Sequence, residues 1–420
     1  MPTAFKPADI LLPQNTPMEK WAVIACDQYT SEPEYWTDVQ NITASAKSAF
    51  NLILPEVYLE ESDVDERIGK IHGNMHAYLN DGAFKEYNDS LIYIERIQSD
   101  GKVRAGIIGA LDLEKYDYRK GSKSQVRATE ATVIERIPPR IKVRNGAKIE
   151  LPHIMILIDD AEKSVIEPLE SFKKEMQKLY DFRLMKNGGA ISGYLLTKHM
   201  QDNILSALDG LADLDAFNSK YGLSESSPLV YAMGDGNHSL ATAKEFYEQL
   251  KRENPGKDMS AHPARYALVE IVNLHSPALE FEAIHRIVTE VNVTQLLAQM
   301  VVELDLREDK SAQKIQIVQN GAAKDLYIHK PLSKLTVGSL QAFLDKYLSQ
   351  NDGKIDYIHG ADVVKRLSAA DNTIGFILPD MGKEELFPTV ICDGALPRKT
   401  FSMGHADDKR FYIEARKIVK

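Results

Sequence analysis

The sequence predicts a mixed α and β fold in which mixed sheets are flanked by helices. Short apolar runs bounded by Gly, Pro and Asp alternate with segments whose apolar residues recur at helical spacing. The clearest case is Pro228-Leu-Val-Tyr-Ala-Met-Gly-Asp-Gly-Asn-His-Ser, a buried strand over Leu229 to Met233 that runs into a polar turn. A helix follows, with Leu240, Ala243, Phe246, Tyr247 and Leu250 on one face. At 420 residues, 44% hydrophobic and 27% charged, the chain can bury a substantial core. It shows no internal repeat, low-complexity tract or heptad run.

In chain order, Trp21-Ala-Val-Ile-Ala-Cys26 reads as a first strand, followed by the polar segment Asp27-Gln-Tyr-Thr-Ser-Glu32, a second functional candidate just past a strand end. Val64, Ile68, Ile71, Met75 and Leu79 mark an amphipathic helix from Asp63 to Leu79. Leu91–Ile97 and Val103–Leu111 flank a Ser-Asp-Gly turn and predict a β-hairpin. The charged run Val126 to Arg136 fits a loop or a solvated helix face. His153–Ile158 reads as a buried strand, and Val165, Leu169, Phe172, Met176 and Leu179 as a helix face. A further helix spans about Thr197 to Phe217. Arg265–Val272 is another strand. In Ile284-His-Arg-Ile-Val288 the adjacent His285 and Arg286 must face opposite ways on a strand. Short strands at 314–319, 324–329, 354–359 and 373–378, with helices at 336–349 and 361–369, complete the chain. The expected division is a nucleotide- or anion-binding core over 1–290 and a C-terminal α/β subdomain over 291–420 packed on that core.

A net charge of −10 argues against a broad nucleic-acid surface, which needs clustered Lys and Arg to displace counterions. Only Cys26 and Cys392 are present, far apart, as in a reducing compartment, and each reads as a small buried hydrophobe. No apolar run reaches membrane-spanning length and the N-terminus leads into no signal-peptide core, so a cytoplasmic location is expected. His72 and His76 lie four apart on a predicted helix, but Gly73 stands where a zinc-protease motif needs glutamate, and no third ligand is evident.

The turn after Met233 concentrates chemistry. Gly234 and Gly236 permit unusual backbone angles and remove bulk, and Asn237 or Ser239 can cap the helix. The free N–H groups and positive dipole end of that helix favour an anion such as phosphate. Asp235 and His238 add a carboxylate and an imidazole within the same six residues. The competing reading is ordinary strand-to-helix punctuation, with both side chains holding the loop. The position at the end of a buried strand, where α/β folds place ligands, favours function.

On these residues the sequence resembles the bacterial and archaeal family numbered one thousand and fifteen among domains of unknown function. That family carries an Asp-Gly-His-His-Arg type turn before a helix. The resemblance covers most of the chain: the Gly-rich hairpin strand is Arg104-Ala-Gly-Ile-Ile-Gly, and the Arg-x-x-Glu-x-Thr element is Arg127, Glu130 and Thr132. The His-Arg pair is His285 and Arg286, and the closing stretch is Pro397-Arg-Lys-Thr400. Around its turn the family is similar to the ParB and sulfiredoxin-like group, which includes nucleotide-binding partition proteins and kinases of free L-serine. The resemblance therefore implies a ParB/sulfiredoxin-like core with a nucleotide phosphate cradled at the helix start. This chain departs from the pattern: Asn237 replaces the first histidine and Ser239 the arginine, which removes a fixed cationic fork for phosphate oxygens. Arg127, Lys244, Arg286 and Lys399 are the candidate replacements.

The function expected from this combination is phosphoryl transfer from ATP or ADP, with Mg²⁺, to the hydroxyl of a small metabolite such as serine or a related hydroxy acid. Asp235 would bind Mg²⁺ or orient the hydroxyl. His238 would contact phosphate or act as acid or base, Glu130 would be a second carboxylate and Arg127 an anion clamp. Gly234, Gly236, Asn237 and Ser239 would form the nucleotide-binding turn. The alternative is a non-catalytic nucleotide- or anion-binding regulatory protein. Sulfiredoxin-type reduction needs a reactive cysteine at the turn, where there is none, and a metal hydrolase would have to use His72 and His76.

Overall fold

A computed structural model describes residues 2–130, 137–225, 227–404 and 406–419. The chain has the mixed α/β class expected, in two compact units. The first contains Met1–Ala128, Thr132–Leu279 and Gly404–Lys420, and the second Thr129–Ala131 and Glu280–Met403. The sequence placed the division at 290/291. The observed one falls near 280 because Phe281–Thr289 is one continuous strand whose partners all belong to the second sheet. The last residues return to the first unit, where Phe411–Tyr412 pairs with Val23–Ile24 and Arg416–Lys417 with Ile149–Glu150.

The first unit is built on a ten-stranded mixed sheet. At its centre Val103–Asp112 pairs antiparallel with Tyr266–Asn273. The latter runs parallel to Met155–Ile158, which is antiparallel to Tyr231–Asp235. The hairpin forms as expected, with Ile97 opposite Val103. Gly106 and Gly109 explain its glycine-rich strand by space: a Cβ at 106 would lie 2.8 Å from Glu270 Oε1, and one at 109 would lie 2.3 Å from the Phe5 ring. The helix expected from Asp63 is present as Val64–Asn80 and buries Ile68, Ile71, Met75 and Tyr78.

Three expectations are corrected. Trp21 closes a short helical turn, so the strand expected over Trp21–Cys26 is only Val23–Ile24, and the strands Phe5–Lys6 and Ala8–Pro13 precede it. The helix read through Leu179 is a 3₁₀ segment, Glu167–Glu175, followed by the strand Gln177–Arg183, where Tyr180 and Phe182 alternate inward with period two. The long helix after Thr197 is divided into Lys198–Leu211 and Leu214–Tyr221, because the Asp213 carboxylate accepts from the Ala216 amide at 2.9 Å and starts a new helix.

A buried charge cluster locks the returning C-terminal segment to this sheet. The Glu270 carboxylate accepts from Arg104 Nε at 3.2 Å and from Arg410 Nε at 2.9 Å, and Arg410 Nη2 donates to Glu414 at 2.6 Å. Tyr180 also donates to Glu414, and its ring covers Gly193.

The second unit carries a seven-stranded antiparallel sheet containing Phe281–Thr289, Gln313–Gln319, Ala322–Ile328, Lys354–His359 and Ile374–Ile377. Its helices Thr336–Leu348 and Ala361–Leu367 lie where the sequence places them.

Replacing Glu270 with Ala leaves two buried guanidinium groups without their shared counter-charge, and a loss of about 3–5 kcal/mol is expected. Urea unfolding measures it, and a loss under about 1 kcal/mol would show the cluster to be dispensable.

Candidate functional site

The strand Tyr231–Asp235 delivers the polar turn. Met155 pairs with Asp235 but Ile156 with Met233, so Gly234 is the extra residue of a bulge, which re-aims the carboxylate that follows. Gly236 then takes φ 78°, and a Cβ there would lie 3.1 Å from the Ile154 backbone. Glycine is required on both counts. The chain enters the helix Asn237–Glu253 directly from this residue, so Asn237 and Ser239 lie inside the first turn and neither caps it. Among the described residues the N-cap position, Gly236, supplies no side-chain cap to this helix. A helix start of this kind turns backbone N–H groups toward an anion, and the buried Oδ1 of Asn237 has no hydrogen-bond partner among the described residues.

Around this helix start the first unit gathers side chains from distant parts of the sequence. Asp235 Oδ1 accepts from the Gly236 amide at 2.9 Å, and its Oδ2 lies 3.2 Å from Lys409 Nζ. His153, buried just before the strand Met155–Ile158, places Nδ1 2.7 Å from the Tyr412 hydroxyl. Its Nε2 is 3.3 Å from Ser239 Oγ and 3.4 Å from Asp27 Oδ2. Asp27 also accepts from the Gln28 side-chain amide at 3.0 Å. The Tyr412 hydroxyl accepts from the Cys26 amide at 3.2 Å, and the ribbon of Val23–Ile24 with Phe411–Tyr412 brings these segments together.

Electrostatics matches the geometry. Burial pushes the Asp27 carboxyl up, but the facing His153 and nearby Lys409 hold it well below the usual range. Burial alone would lower His153, whereas the Asp27 and Asp235 charges raise it above its ordinary value. Burial pushes the Cys26 thiol up, so it is not a thiolate nucleophile. Asp27 and Ser239 approach the same ring nitrogen of His153 while Tyr412 holds the other. This is not the arrangement of a hydrolytic Ser-His-Asp triad, in which the carboxylate orients the opposite nitrogen.

The sequence-predicted residues divide. Asp235, Gly234, Gly236, Asn237, His238 and Ser239 share the turn, and the Asp27 segment reaches it through His153. His238 is half-buried in the first helical turn, and its carbonyl accepts from Thr242 Oγ1 at 2.7 Å. Arg127, expected as an anion clamp, is buried and donates to the carbonyls of Ser124 at 2.8 Å and Ser227 at 3.2 Å. Glu130 belongs to the second unit, where it accepts from the Thr400 amide at 3.2 Å and burial pushes its carboxyl up.

Thr132 and Arg136 lie outside the described residues. Of the candidate cations, Lys244 pairs with Glu248 at 2.8 Å and donates to the Leu113 carbonyl. Arg286, in the second unit, donates to the carbonyls of Lys399 at 2.8 Å and Arg398 at 3.0 Å. The cation beside the turn is instead Lys409, which no local motif announces. His72 Nε2 lies 2.8 Å from the Val143 carbonyl. Among the described residues no helix is long and apolar enough to cross a membrane.

A family profile matches residues 6–347 under the description "Protein of unknown function (DUF1015)". The chain belongs to this family. The match spans the turn, the hairpin and His153, while Lys409 and Tyr412 lie beyond it. No curated protein matches. Among the solved structures that superpose loosely on this chain, three are 9–11% identical to it. C-terminally truncated SbnI from Staphylococcus aureus is 9% identical, covering 71% of this chain and 82% of its own, with a TM-score of 0.37. A conserved hypothetical protein from Pyrococcus furiosus is 11% identical, covering 74% and 94%, with a TM-score of 0.35. A free serine kinase in complex with AMP is 11% identical, covering 74% and 90%, with a TM-score of 0.38.

The Asp27–His153 pair makes stability depend on pH in a defined window. A carboxyl held low contributes fully above its ordinary 3.8 and loses the contribution as pH falls through its folded value. An imidazolium held high contributes fully below its ordinary 6.5 and loses the contribution as pH rises through its folded value. The melting-temperature advantage of the wild type over His153→Gln is therefore expected to be largest near pH 5.5 and to shrink toward about pH 9. Thermal unfolding at both values checks this, and an advantage that grows with pH contradicts it.

Proposed function

We propose that the first unit transfers a phosphoryl group from ATP or ADP to the hydroxyl of a small metabolite. Serine or a related hydroxy acid is the acceptor class that the sequence resemblance suggests. One observation carries the reading: two carboxylates, Asp27 and Asp235, a buried imidazole and the Lys409 ammonium surround a helix start with no side-chain cap. Phosphoryl transfer requires little more than positioned groups and neutralised charge, and this set supplies both.

In this reading the amides after Gly236 and Lys409 receive phosphate oxygens, and Lys409 takes the part of the arginine that Ser239 replaces. The imidazolium of His153 adds positive charge beside them. Asp235 orients the acceptor hydroxyl, with His238 placed to contact phosphate. Asp27 takes the role of second carboxylate in place of Glu130. Mg²⁺ is commonly held by one or two carboxylates together with substrate phosphates, and the partly exposed Asp27 and Asp235 fit that need. When bound it would neutralise charge on the phosphates.

The test combines protein, Mg²⁺, ATP or ADP and a panel of hydroxyl compounds, with phosphorylated product read by mass spectrometry. Product is expected from at least one pairing. Asp235→Ala is expected to keep nucleotide binding and lose about 100-fold or more in turnover. Lys409→Met is expected to weaken nucleotide affinity about tenfold through the lost charge-assisted contact. Nucleotide binding without product from any acceptor would select the non-catalytic regulatory reading, and no nucleotide-induced thermal shift would exclude both.

A further inference from the structure

Beside the turn the first unit opens a cleft of about 150 Å³, walled by Leu52, Leu54, Met75 and Val143, with His153 and Ser239 also on its lining. We propose that this cleft seats an uncharged, apolar group of the hydroxyl-bearing substrate. The acceptor is then an alcohol on a small hydrocarbon or aromatic body rather than a zwitterionic amino acid. The inference rests on the phosphoryl-transfer reading and narrows its acceptor.

Size and charge both point this way. An apolar cavity of roughly 150 Å³ accommodates a molecule the size of benzene. The carboxylates on its lining are already taken, Glu56 by Arg140 and Glu150 by Arg144. Glu150 also takes Arg416 at 3.0 Å and the Leu268 amide at 2.9 Å. An ammonium entering the cleft would meet hydrocarbon and guanidinium groups, and would lose its hydration without an unshared carboxylate to replace it. An apolar group gains by the same move. Because Ser239 and His153 line the same space, a molecule lodged there carries its hydroxyl toward the helix start. The substrate oxygen then bonds to the terminal phosphorus. The bond from that phosphorus to the bridging oxygen breaks, the shortened nucleotide leaves with the electron pair, and the hydroxyl proton passes to a site carboxylate and on to water.

The experiment uses the full chain with Mg²⁺ and ATP, and compares benzyl alcohol and hexanol with L-serine and glycerate. Phosphate esters are read by mass spectrometry, and alcohol and ATP binding by calorimetry. Saturable benzyl alcohol binding is expected, with kcat/KM about tenfold or more above that of L-serine. Val143→Trp, which fills the cleft, is expected to reduce alcohol affinity about tenfold or more while ATP affinity stays within about twofold. Leu59→Phe, at another lining position, repeats the test should the first variant misfold. Preferred transfer to L-serine that is indifferent to both fillings would overturn the proposal and leave the phosphoryl-transfer reading intact. Loss of ATP affinity on filling would assign the cleft to the nucleotide base and also overturn it. Alcohol binding without transfer to any acceptor would overturn the phosphoryl-transfer reading itself, and with it the assignment of the bound group as an acceptor.

Discussion

The Glu270 carboxylate, buried between Arg104 and Arg410, is the constraint on which the site depends. Arg410 stands between Lys409, which faces Asp235, and Tyr412, which holds His153. Fixing that guanidinium to a central strand fixes the returning segment, and so sets where the site's ammonium and imidazole lie. Taking three charges out of water is costly, and the cost is offset only because each is paired and further hydrogen-bonded. Arg410 also donates to the Pro152 carbonyl at 2.9 Å, next to His153. Gly106 belongs to the same device, since any side chain there would occupy the space of the carboxylate.

This coupling gives the turn a different character from a loop that merely starts a helix. Left-handed Gly236 begins the helix without a cap, the bulge at Gly234 turns Asp235, and the two aspartates share a neighbourhood with Lys409 and a raised-pKa imidazole. Positive charge at an uncapped helix start would be unfavourable unless anions were close by, which Asp27 and Asp235 are. The site is thus neutralised at rest, and a bound phosphate would compete with the carboxylates for Lys409 and His153.

Much of the fold was legible because burial imposes periodicity. The helices Val293–Leu304 and Lys383–Asp393 went unread, whereas the hairpin, the helix over Val64–Asn80, four strands after Phe281 and the helices Thr336–Leu348 and Ala361–Leu367 follow from spacing alone. The 3₁₀ segment and strand between Glu167 and Arg183 did not, since Val165, Leu169, Phe172 and Met176 mimic a helical stripe while Tyr180 and Phe182 already alternate. At the site, the local half could be read: two glycines, a carboxylate and a helix signal within one turn. The distant half could not, because Lys409 and Tyr412 sit in an ordinary-looking C-terminal stretch and His153 resembles the first residue of a buried strand. The signal that could have found them was Arg410 and Glu414 four apart, with Glu270 inside an apolar strand, since charges in such settings need partners. Arg127 and Glu130 each bond to backbone groups, contacts that charge density in a sequence does not distinguish from contacts to a ligand.

The proposed function requires that the amides opening the helix Asn237–Glu253, with Lys409 beside them, receive a phosphate. A crystal structure of the protein with ADP tests it most directly. A phosphate group is expected within hydrogen-bonding distance of the backbone at 237–239 and of Lys409 Nζ. Nucleotide bound elsewhere, with the Asp235–Lys409 pair intact and those amides covered by protein, would contradict it.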